Sequence, residues 1–286
     1  MQHQVFFPSQ GLSSFIARYE FSSYETGPAG NGNFVFLPNF SNAFLFCYYQ
    51  RSQIRLKNST VGETSIPPIS LIPPVNTPAY NDHVAYLSSV RIIFQPGALW
   101  ALYGIPMYHF TNQVIDASEA FDIKLKELYE KIYFCGSNQT KVQLLDSYFA
   151  SRLKSASKQR GLFRYLNHHL LSHNYECSVD GVANNLGLSS RHLQRLQRKH
   201  FGLSPKDFIN IHRFNSVLNY FNTTPEVSLR DVAFRFSYFD PAHFSREFKR
   251  RSDMTPGQYL LNHPNLAKIM PSKDAGFIKG GYLIEC

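Results

Sequence analysis

Two stretches of this 286-residue chain decide the fold of its C-terminal part: SVDGVANNLGLSSRHLQRLQRKHFGLSP at 178–205 and SLRDVAFRFSYFDPAHFSREFKRRSDMTP at 228–256. They align along their length, with an offset of 50 residues before a central turn and 51 residues after it. The matched pairs are Ser178 and Ser228, Ala183 and Ala233, Leu193 and Phe244, Arg195 and Arg246, and Pro205 and Pro256. An internal repeat of this kind predicts two copies of one supersecondary unit.

Each copy carries the local signals of a helix-turn-helix. Ser178 and Ser228 are favourable N-caps for a first helix. Ala183 and Ala233 are small enough for two helices to cross closely, and Gly187 suits a turn that requires positive φ. We therefore expect helix-turn-helix units at about 178–201 and 228–251.

The second helix of each copy is the expected recognition helix, which would enter the major groove of DNA. The predicted starts are Ser189 or Ser190 in the first copy, and Asp240 followed by Pro241 in the second. One polar face of the first recognition helix presents Arg191, Gln194, Arg195 and Arg198. The corresponding face of the second presents Ala242, Ser245, Arg246 and Lys249.

The residue types on these faces predict their roles. Arginine pairs with guanine O6 and N7, and glutamine pairs with adenine N6 and N7, in both cases through two hydrogen bonds. All eight residues are therefore predicted to contact base edges. Three neighbouring basic residues, which would set affinity and register through phosphate contacts, are Lys199, Arg250 and Arg251.

The positive charge of the chain is concentrated around the repeat. The whole sequence has 29 Lys and Arg, 20 Asp and Glu, and a formal net charge of +9. Residues 158–263 contribute +7 of this charge, whereas 1–157 and 264–286 contribute +1 each. Localised positive charge favours a polyanionic partner, and together with the repeat it predicts double-stranded DNA.

Composition excludes several other classes of protein. The sequence is 43% hydrophobic and 15% aromatic, which excludes a disordered chain. It lacks an apolar run of the ~18–20 residues that a membrane span needs, and its first ten residues, MQHQVFFPSQ, lack the pattern of a secretory signal. Four widely separated cysteines are typical of a reducing compartment. We therefore predict a cytoplasmic protein without a membrane partner.

The first 157 residues predict a β-rich domain followed by helices. Runs of aromatic and β-branched residues at 34–37, 43–49, 53–57 and 84–94 are typical of strands. The proline-rich segment 67–78 predicts an edge strand or a loop. Helical periodicity begins after Gly97, where Trp100 is expected in the core. Two later helices would bury one face each, formed by Phe121, Leu125, Leu128 and Ile132, and by Leu144, Leu145, Tyr148 and Phe149.

These patterns predict an α+β protein with two domains: 1–157, β-rich with a helical connection, and 158–263, all-helical and DNA-binding. A tail, 264–286, contains lysines and glycines as well as an apolar run that could pair as a strand. Such a tail is compatible with either a mobile end or an additional strand.

The repeat resembles the AraC/XylS family of bacterial transcription regulators over about residues 178–260. The resemblance rests on A-x-x-L-G-L-S-x-R-x-L-Q-R from Ala183, on G-L-S-P, and on F-S-R-x-F-K-R-x-x-x-x-T-P from Phe244. It implies a domain of roughly 100 residues in which a long helix joins two helix-turn-helix units, and recognition helices that enter successive major grooves. Two residues depart from the family pattern: Gln197 stands at an apolar position, and Ser237 stands where the second turn usually has glycine.

The N-terminal part is more weakly similar to the small cupin-like domains of this family, chiefly over 90–121. That similarity implies a module for sensing or dimerisation. The further partners it implies are a small-molecule effector of unspecified identity, a second copy of the chain, and RNA polymerase if the protein is an activator.

Enzymatic and metal-binding readings rest on fewer features. GxSxG, Walker and HExxH motifs are absent, so we predict no catalytic residues. A DNA-repair methyl acceptor would need an activated cysteine, for which Cys177 before the first N-cap is the candidate. An enzyme fused to a DNA-binding domain would need a convergent polar site in the β-rich part. Two groups of residues could suggest a metal site: His169 and His173 with Cys177, and Asp82 and His83 with His109. Neither group has further ligands at the spacing of a known metal site, so no metal or other cofactor is predicted.

Overall fold

The computed structural model describes residues 2–25, 34–38, 42–49, 53–56, 64–65, 67–82, 86–155, 179–224, 226–262 and 283–285. Several features singled out in the sequence lie outside these residues: the N-cap Ser178, the spacing of His169, His173 and Cys177, and His83.

The larger of two antiparallel sheets forms the centre of the N-terminal region. Its strands are β1 Gln2–Phe6, β2 Ile16–Glu25, β4 Ala43–Tyr49, β7 Ile69–Ile72, β9 Tyr86–Phe94 and β10 Ile115–Asp116. They are hydrogen-bonded in the order β1-β2-β9-β4-β7-β10. The central pair, β4 and β9, aligns Phe44 with Ile92 and Phe46 with Val90, so that apolar residues of both strands meet on one buried face.

The smaller sheet contains β3 Phe34–Phe36, β5 Gln53–Leu56, β6 Thr64–Ser65, β8 Ala79–Asp82 and β11 Leu283–Glu285. Its order is β11-β3-β8-β5-β6. Glu285 aligns with Phe34 and Leu283 with Phe36, so the end of the predicted tail pairs with the N-terminal region as a strand.

The proline-rich segment differs from its prediction. Strand β7 lies inside the larger sheet, between β4 and the two-residue β10, rather than at an edge or in a loop. The four prolines of this segment that adjoin the strand, Pro67, Pro68, Pro73 and Pro74, flank it and leave its own backbone donors intact. The prediction was wrong because the prolines flank the short apolar run 69–72 and do not interrupt it.

Helical segments after β9 pack on the larger sheet. They are α1 Ala98–Tyr103, a 3-10 turn at Met107–His109, α2 Ala117–Ala120, α3 Lys124–Tyr133 and α4 Asn138–Ser155. Leu125, Leu128 and Ile132 of α3 are buried against the sheet, as their spacing predicts. Phe121 contacts the same core but follows α2 and precedes α3, so it is not part of the predicted helix face.

Residues 179–224 and 226–262 form helices joined by turns and short loops. The helices are α5 Val179–Asn185, α6 Ser190–Phe201, α7 Pro205–Thr223, α8 Leu229–Arg235, α9 Pro241–Ser252 and α10 Pro256–Asn262. The predicted α+β class and the two helix-turn-helix units joined by a long helix are confirmed. Across the described ranges, every helix falls short of the length and apolar character that crossing a membrane requires.

Candidate nucleic-acid interface

The first helix-turn-helix unit consists of α5 and α6. Gly187 in the turn between them has a φ of 62°, as its position predicts. Ser189, one of the two predicted caps, accepts a hydrogen bond from the backbone N–H of His192 at 3.2 Å. Ala183 and Leu193 are buried where the helices cross. These contacts fix the direction in which α6 leaves the turn.

The second unit, α8 and α9, repeats this geometry with different residues. Ser237 has a φ of 54° at the position of Gly187, so the turn adopts the left-handed conformation without glycine. The Ser228 side chain caps α8 through the backbone N–H of Asp231, and the Asp240 side chain caps α9. Both predicted caps are confirmed. The unusual turn residue therefore changes the energy of the turn but not its shape.

Helix α7 joins the two units by contributing to both cores. Near its start, Phe208 and Ile211 belong to the buried cluster of the first unit. Further along, Phe214 and Leu218 belong to the cluster of the second. One 19-residue helix thus provides a common support on which both recognition helices, α6 and α9, are packed.

The structure places most of the predicted base-contact residues on the solvent side of the recognition helices. The exposed members are Arg191, Gln194, Arg195, Arg198, Ala242, Arg246 and Lys249, and Ser245 is half-buried. Leu193 and Phe244, on the opposite faces, are completely buried. Each helix therefore offers a polar or small-residue surface to solvent, and its apolar side is anchored in the domain.

The three predicted phosphate contacts differ in their surroundings. Lys199 is exposed, and its Nζ lies 5.7 Å from the centroid of the Trp100 ring. Arg250 is exposed and forms two hydrogen bonds with the Glu247 carboxylate, at 3.2 and 2.9 Å. Glu247 carries a pKa below its usual value because the guanidinium groups of Arg250 and Arg251 outweigh the effect of its partial burial.

Arg251 departs from the predicted phosphate contact. Its side chain is 1% exposed, and its Nη1 donates to the backbone oxygen of Asn76 in the N-terminal region at 3.5 Å. Its Nη2 lies 3.7 Å from a Glu247 oxygen. A guanidinium enclosed in this way cannot reach a phosphate, so Arg251 is a contact between regions in this structure. Local sequence could not reveal this contact because the two residues are 175 positions apart.

Gln197, like Ser237, departs from the family pattern. It is buried, at 1% exposure, and both of its side-chain polar atoms lack a hydrogen-bond partner in the part of the chain that the structure describes. Phe248 occupies the same repeat position in the second unit, where it is completely buried among aromatic rings. The first core thus contains a polar group where the second contains an aromatic one.

The first recognition helix also contacts the N-terminal region. The ring of His200 stacks on Trp100 with 3.6 Å between centroids. Burial, with a smaller contribution from the charge of Lys199, lowers the pKa of His200 to about 4. Trp100 is 6% exposed, as predicted for a core residue, but one of its contacts comes from a residue 100 positions later in the sequence.

Two residues near the recognition helices were not identified from the sequence. Phe239, which directly precedes the N-cap of α9, is 86% exposed. His200 contacts Trp100 as described above. Alignment of the repeat places Phe239 in the turn before α9, which could have identified it as a candidate for exposure. The contact of His200 depends on long-range packing and has no such signal in the sequence.

The groups considered as metal ligands or nucleophiles lie only partly within the described residues. Asp82 lies in β8, and His109 is exposed in the 3-10 turn. Within the described part of the chain, no group of three or more His, Cys, Asp or Glu side chains is placed to bind a metal ion. Burial raises the pKa of the Cys47 thiol to about 12, which makes it a poor nucleophile at neutral pH.

Comparison with known proteins places this geometry in a family context. Residues 182–262 match the family described as a helix-turn-helix domain. The chain is 31% identical over 102 residues to the transcriptional activator RhaS of Escherichia coli, covering 36% of this chain and 35% of RhaS. It is 23% identical over 168 residues to YtdP, an HTH-type transcriptional regulator of Bacillus subtilis, covering 54% of this chain and 22% of YtdP. The chain thus spans about a fifth to a third of these relatives.

Solved structures with a similar arrangement include ToxT from Vibrio cholerae, with 13% sequence identity and a TM-score of 0.49 over 85% of this chain and 98% of that one. The C-terminal domain of the response regulator yesN from Fusobacterium nucleatum has 22% identity and a TM-score of 0.32 over 35% of this chain and 97% of that domain. The resemblance drawn from the sequence motifs is confirmed by the family match and the named relatives: this chain carries an AraC-type helix-turn-helix domain at its C-terminus.

Proposed function

We propose that the protein is a sequence-specific transcription regulator that reads double-stranded DNA with two recognition helices. The observation that supports this most directly is the pair of solvent-facing surfaces on α6 and α9, at matching positions of the repeat, with buried apolar residues behind each. Two units on one supporting helix suit successive major grooves on one face of a duplex, about one helical turn apart.

In this proposal the eight predicted residues contact base edges. Arg195 and Arg246, at equivalent positions, are the strongest candidates for guanine, and Gln194 is the candidate for adenine. Lys199 and Arg250 remain the proposed phosphate contacts, with the Glu247 carboxylate orienting Arg250. Arg251 is not included, because it is enclosed by protein.

Phe239 adds an apolar element to the proposed DNA surface. It is exposed directly before the N-terminus of α9, the end of a recognition helix that approaches base edges in helix-turn-helix proteins. Apolar side chains contact the methyl group of thymine. We assign Phe239 to a thymine close to the bases read by Ala242 and Arg246.

The N-terminal region, proposed to extend to residue 157, would tune the activity of the C-terminal domain at 158–263. A small-molecule effector, a second copy of the chain and RNA polymerase are its proposed partners. Non-enzymatic action in the cytoplasm, where bacterial DNA lies, belongs to the same proposal.

Selection of bound sequences from random duplex DNA by the purified full chain tests this function. We expect one enriched sequence with two conserved segments, and an affinity that falls steeply as salt rises, because phosphate contacts release counterions. Arg195→Ala, which removes a proposed base contact, should weaken binding to the selected sequence. Lys126→Ala, which removes an exposed charge on α3, is its matched control and should bind like the wild type. Equal affinity of the wild type for the selected sequence and for random DNA would contradict sequence-specific binding.

A further inference from the structure

A chain of contacts through the N-terminal region connects the two recognition helices, in addition to the supporting helix α7. Thr111 Oγ1 donates to the backbone oxygen of Gly202, the C-cap of α6, at 2.6 Å. The adjacent Asn112 accepts a hydrogen bond through Oδ1 from the backbone N–H of Asn76 at 3.4 Å. The backbone oxygen of Asn76 in turn accepts from Arg251 of α9 at 3.5 Å. The path thus leads from the end of one recognition helix to the end of the other.

The contact at α6 is closely packed. A Cβ atom added at Gly202 would lie 2.8 Å from Thr111 Oγ1 and 3.0 Å from the backbone oxygen of Met107. A Cβ atom added at Gly97, which immediately precedes α1, would lie 3.0 Å from the ring of Phe201. Both glycines also have positive φ values, of 77° and 76°. Close backbone approach at two points leaves the end of α6 little room to shift against the N-terminal region.

The contact at α9 uses the same position of the repeat. His200 and Arg251 are equivalent residues, 51 positions apart, and they are 2% and 1% exposed. His200 stacks on Trp100, whereas Arg251 bonds to Asn76. Leu37 of the N-terminal region is also completely buried in the aromatic cluster of the second unit. Both units therefore turn the same edge of the recognition helix toward the N-terminal region.

A second connection changes the mechanics of the DNA-binding domain. A single helix between two units leaves each unit able to tilt about its own end of that helix. A connection between the C-terminal ends of α6 and α9 closes a ring, and a closed ring restricts both tilts together. The separation of the two reading surfaces is then determined jointly by α7 and by the N-terminal region.

We infer that Thr111, Asn112 and Asn76, together with Arg251, form a positioning bridge that fixes the separation of the two recognition helices and hence the spacing of the DNA segments that the protein accepts. This inference rests on the proposed function, because it concerns how two reading surfaces are matched to one duplex. The bridge residues are positioning residues and need not touch DNA.

A spacing series tests the bridge directly. The selected DNA sequence is prepared with its natural spacing and with one base pair added or removed between its two conserved segments. The quantity measured is the ratio of the dissociation constants for altered and natural spacing. We expect Thr111→Val, which keeps the shape but removes the donor, to lower the wild-type ratio by about threefold to tenfold, the effect of losing one hydrogen bond.

Three further variants make the outcome specific. Thr111→Ser retains the donor and should restore the wild-type ratio, and Arg251→Met should lower the ratio as Thr111→Val does. Thr140→Val, at an exposed position of α4, is the matched control and should leave the ratio unchanged. Circular dichroism checks that each variant folds, and Asn112→Ala replaces Arg251→Met if that variant unfolds.

The bridge is overturned if folded Thr111→Val and the second bridge variant keep the wild-type ratio, or if affinity falls equally for all three spacings. Failure of the proposed function gives a different result, because the wild type itself would then show no selected sequence on which a spacing series could be built.

Discussion

The two helix-turn-helix units of this chain share a backbone geometry but differ in the residues of their exposed surfaces and of their cores. The first unit combines a reading surface of three arginines and one glutamine with a core that contains Gln197, whose amide has no hydrogen-bond partner among the described residues. The second unit presents the small residues Ala242 and Ser245 on its surface, and its core is built from aromatic rings. Hydrogen-bonding capacity for DNA and packing for stability are therefore distributed unequally between equivalent positions of the two units.

The largest expected effect concerns the two cores. Phe248→Ala should lower the free energy of unfolding by about 3–5 kcal/mol, because the ring is completely buried and the deletion leaves a cavity. Its ring centroid lies 5.2 Å from that of Phe214 and 5.5 Å from that of Tyr259. Chemical denaturation monitored by circular dichroism measures the change.

Gln197→Ala, at the same repeat position, is the control for this substitution. The amide of Gln197 is buried and has no hydrogen-bond partner within the described ranges, so its removal offsets the loss of packing and we expect a change within about 1 kcal/mol. Equal destabilisation by the two substitutions would show that the cores do not differ as described.

The second prediction concerns the reading surfaces. Arg195→Ala and Arg246→Ala should each weaken binding to the selected DNA by about 1–3 kcal/mol and relax base preference within one segment only. Titration of labelled duplexes with single base changes measures both effects. If either substitution weakens binding to selected and random DNA equally, that arginine contacts phosphate rather than a base.

The third prediction concerns His200, which contacts the N-terminal region from the repeat position that Arg251 holds in the second unit. Because the pKa of His200 is about 4 in the folded chain and near 6.5 when unfolded, the unfolded chain binds the proton first as the pH falls. The stabilising contribution is complete above pH 6.5 and is lost between pH 6.5 and about 4.

His200→Phe preserves an aromatic ring beside Trp100 but cannot titrate. We expect the wild type to lose about 1–2 kcal/mol more than this variant between pH 7 and pH 5, as linkage requires. Denaturant titrations of both proteins at several pH values measure the difference. Parallel pH profiles would contradict a buried, neutral His200.

The smallest effect is expected in the two turns. Ser237→Gly should raise the free energy of unfolding by up to about 1 kcal/mol, because glycine adopts the observed φ of 54° without strain from a Cβ atom. Gly187→Ala in the first turn should lower it by a similar amount, for the same reason. Thermal unfolding of both variants checks the signs, and a destabilising Ser237→Gly would indicate that the serine side chain itself supports the turn.

Local signals were sufficient to predict the architecture of the C-terminal region. The caps at Ser228 and Asp240, the turn at Gly187 and the opposite faces of α6 all depend on residues within one or two helical turns of each other. Such patterns are visible in the sequence because the physical interactions they report are short-range.

Long-range packing accounts for what the sequence did not predict. The burial of Arg251 against Asn76, the stack of His200 on Trp100 and the pairing of β11 with β3 join residues at least 100 positions apart. A basic residue at the end of a recognition helix is suited to a phosphate by its chemistry alone. Only the folded chain shows that Arg251 faces protein.

Hydroxyl-radical footprinting of the full chain on its selected sequence tests most directly whether two recognition helices read one duplex. We expect two protected segments whose centres are about 10 base pairs apart, with Arg195→Ala exposing one segment and Arg246→Ala the other. A single protected segment, or loss of the same segment in both variants, would contradict this expectation.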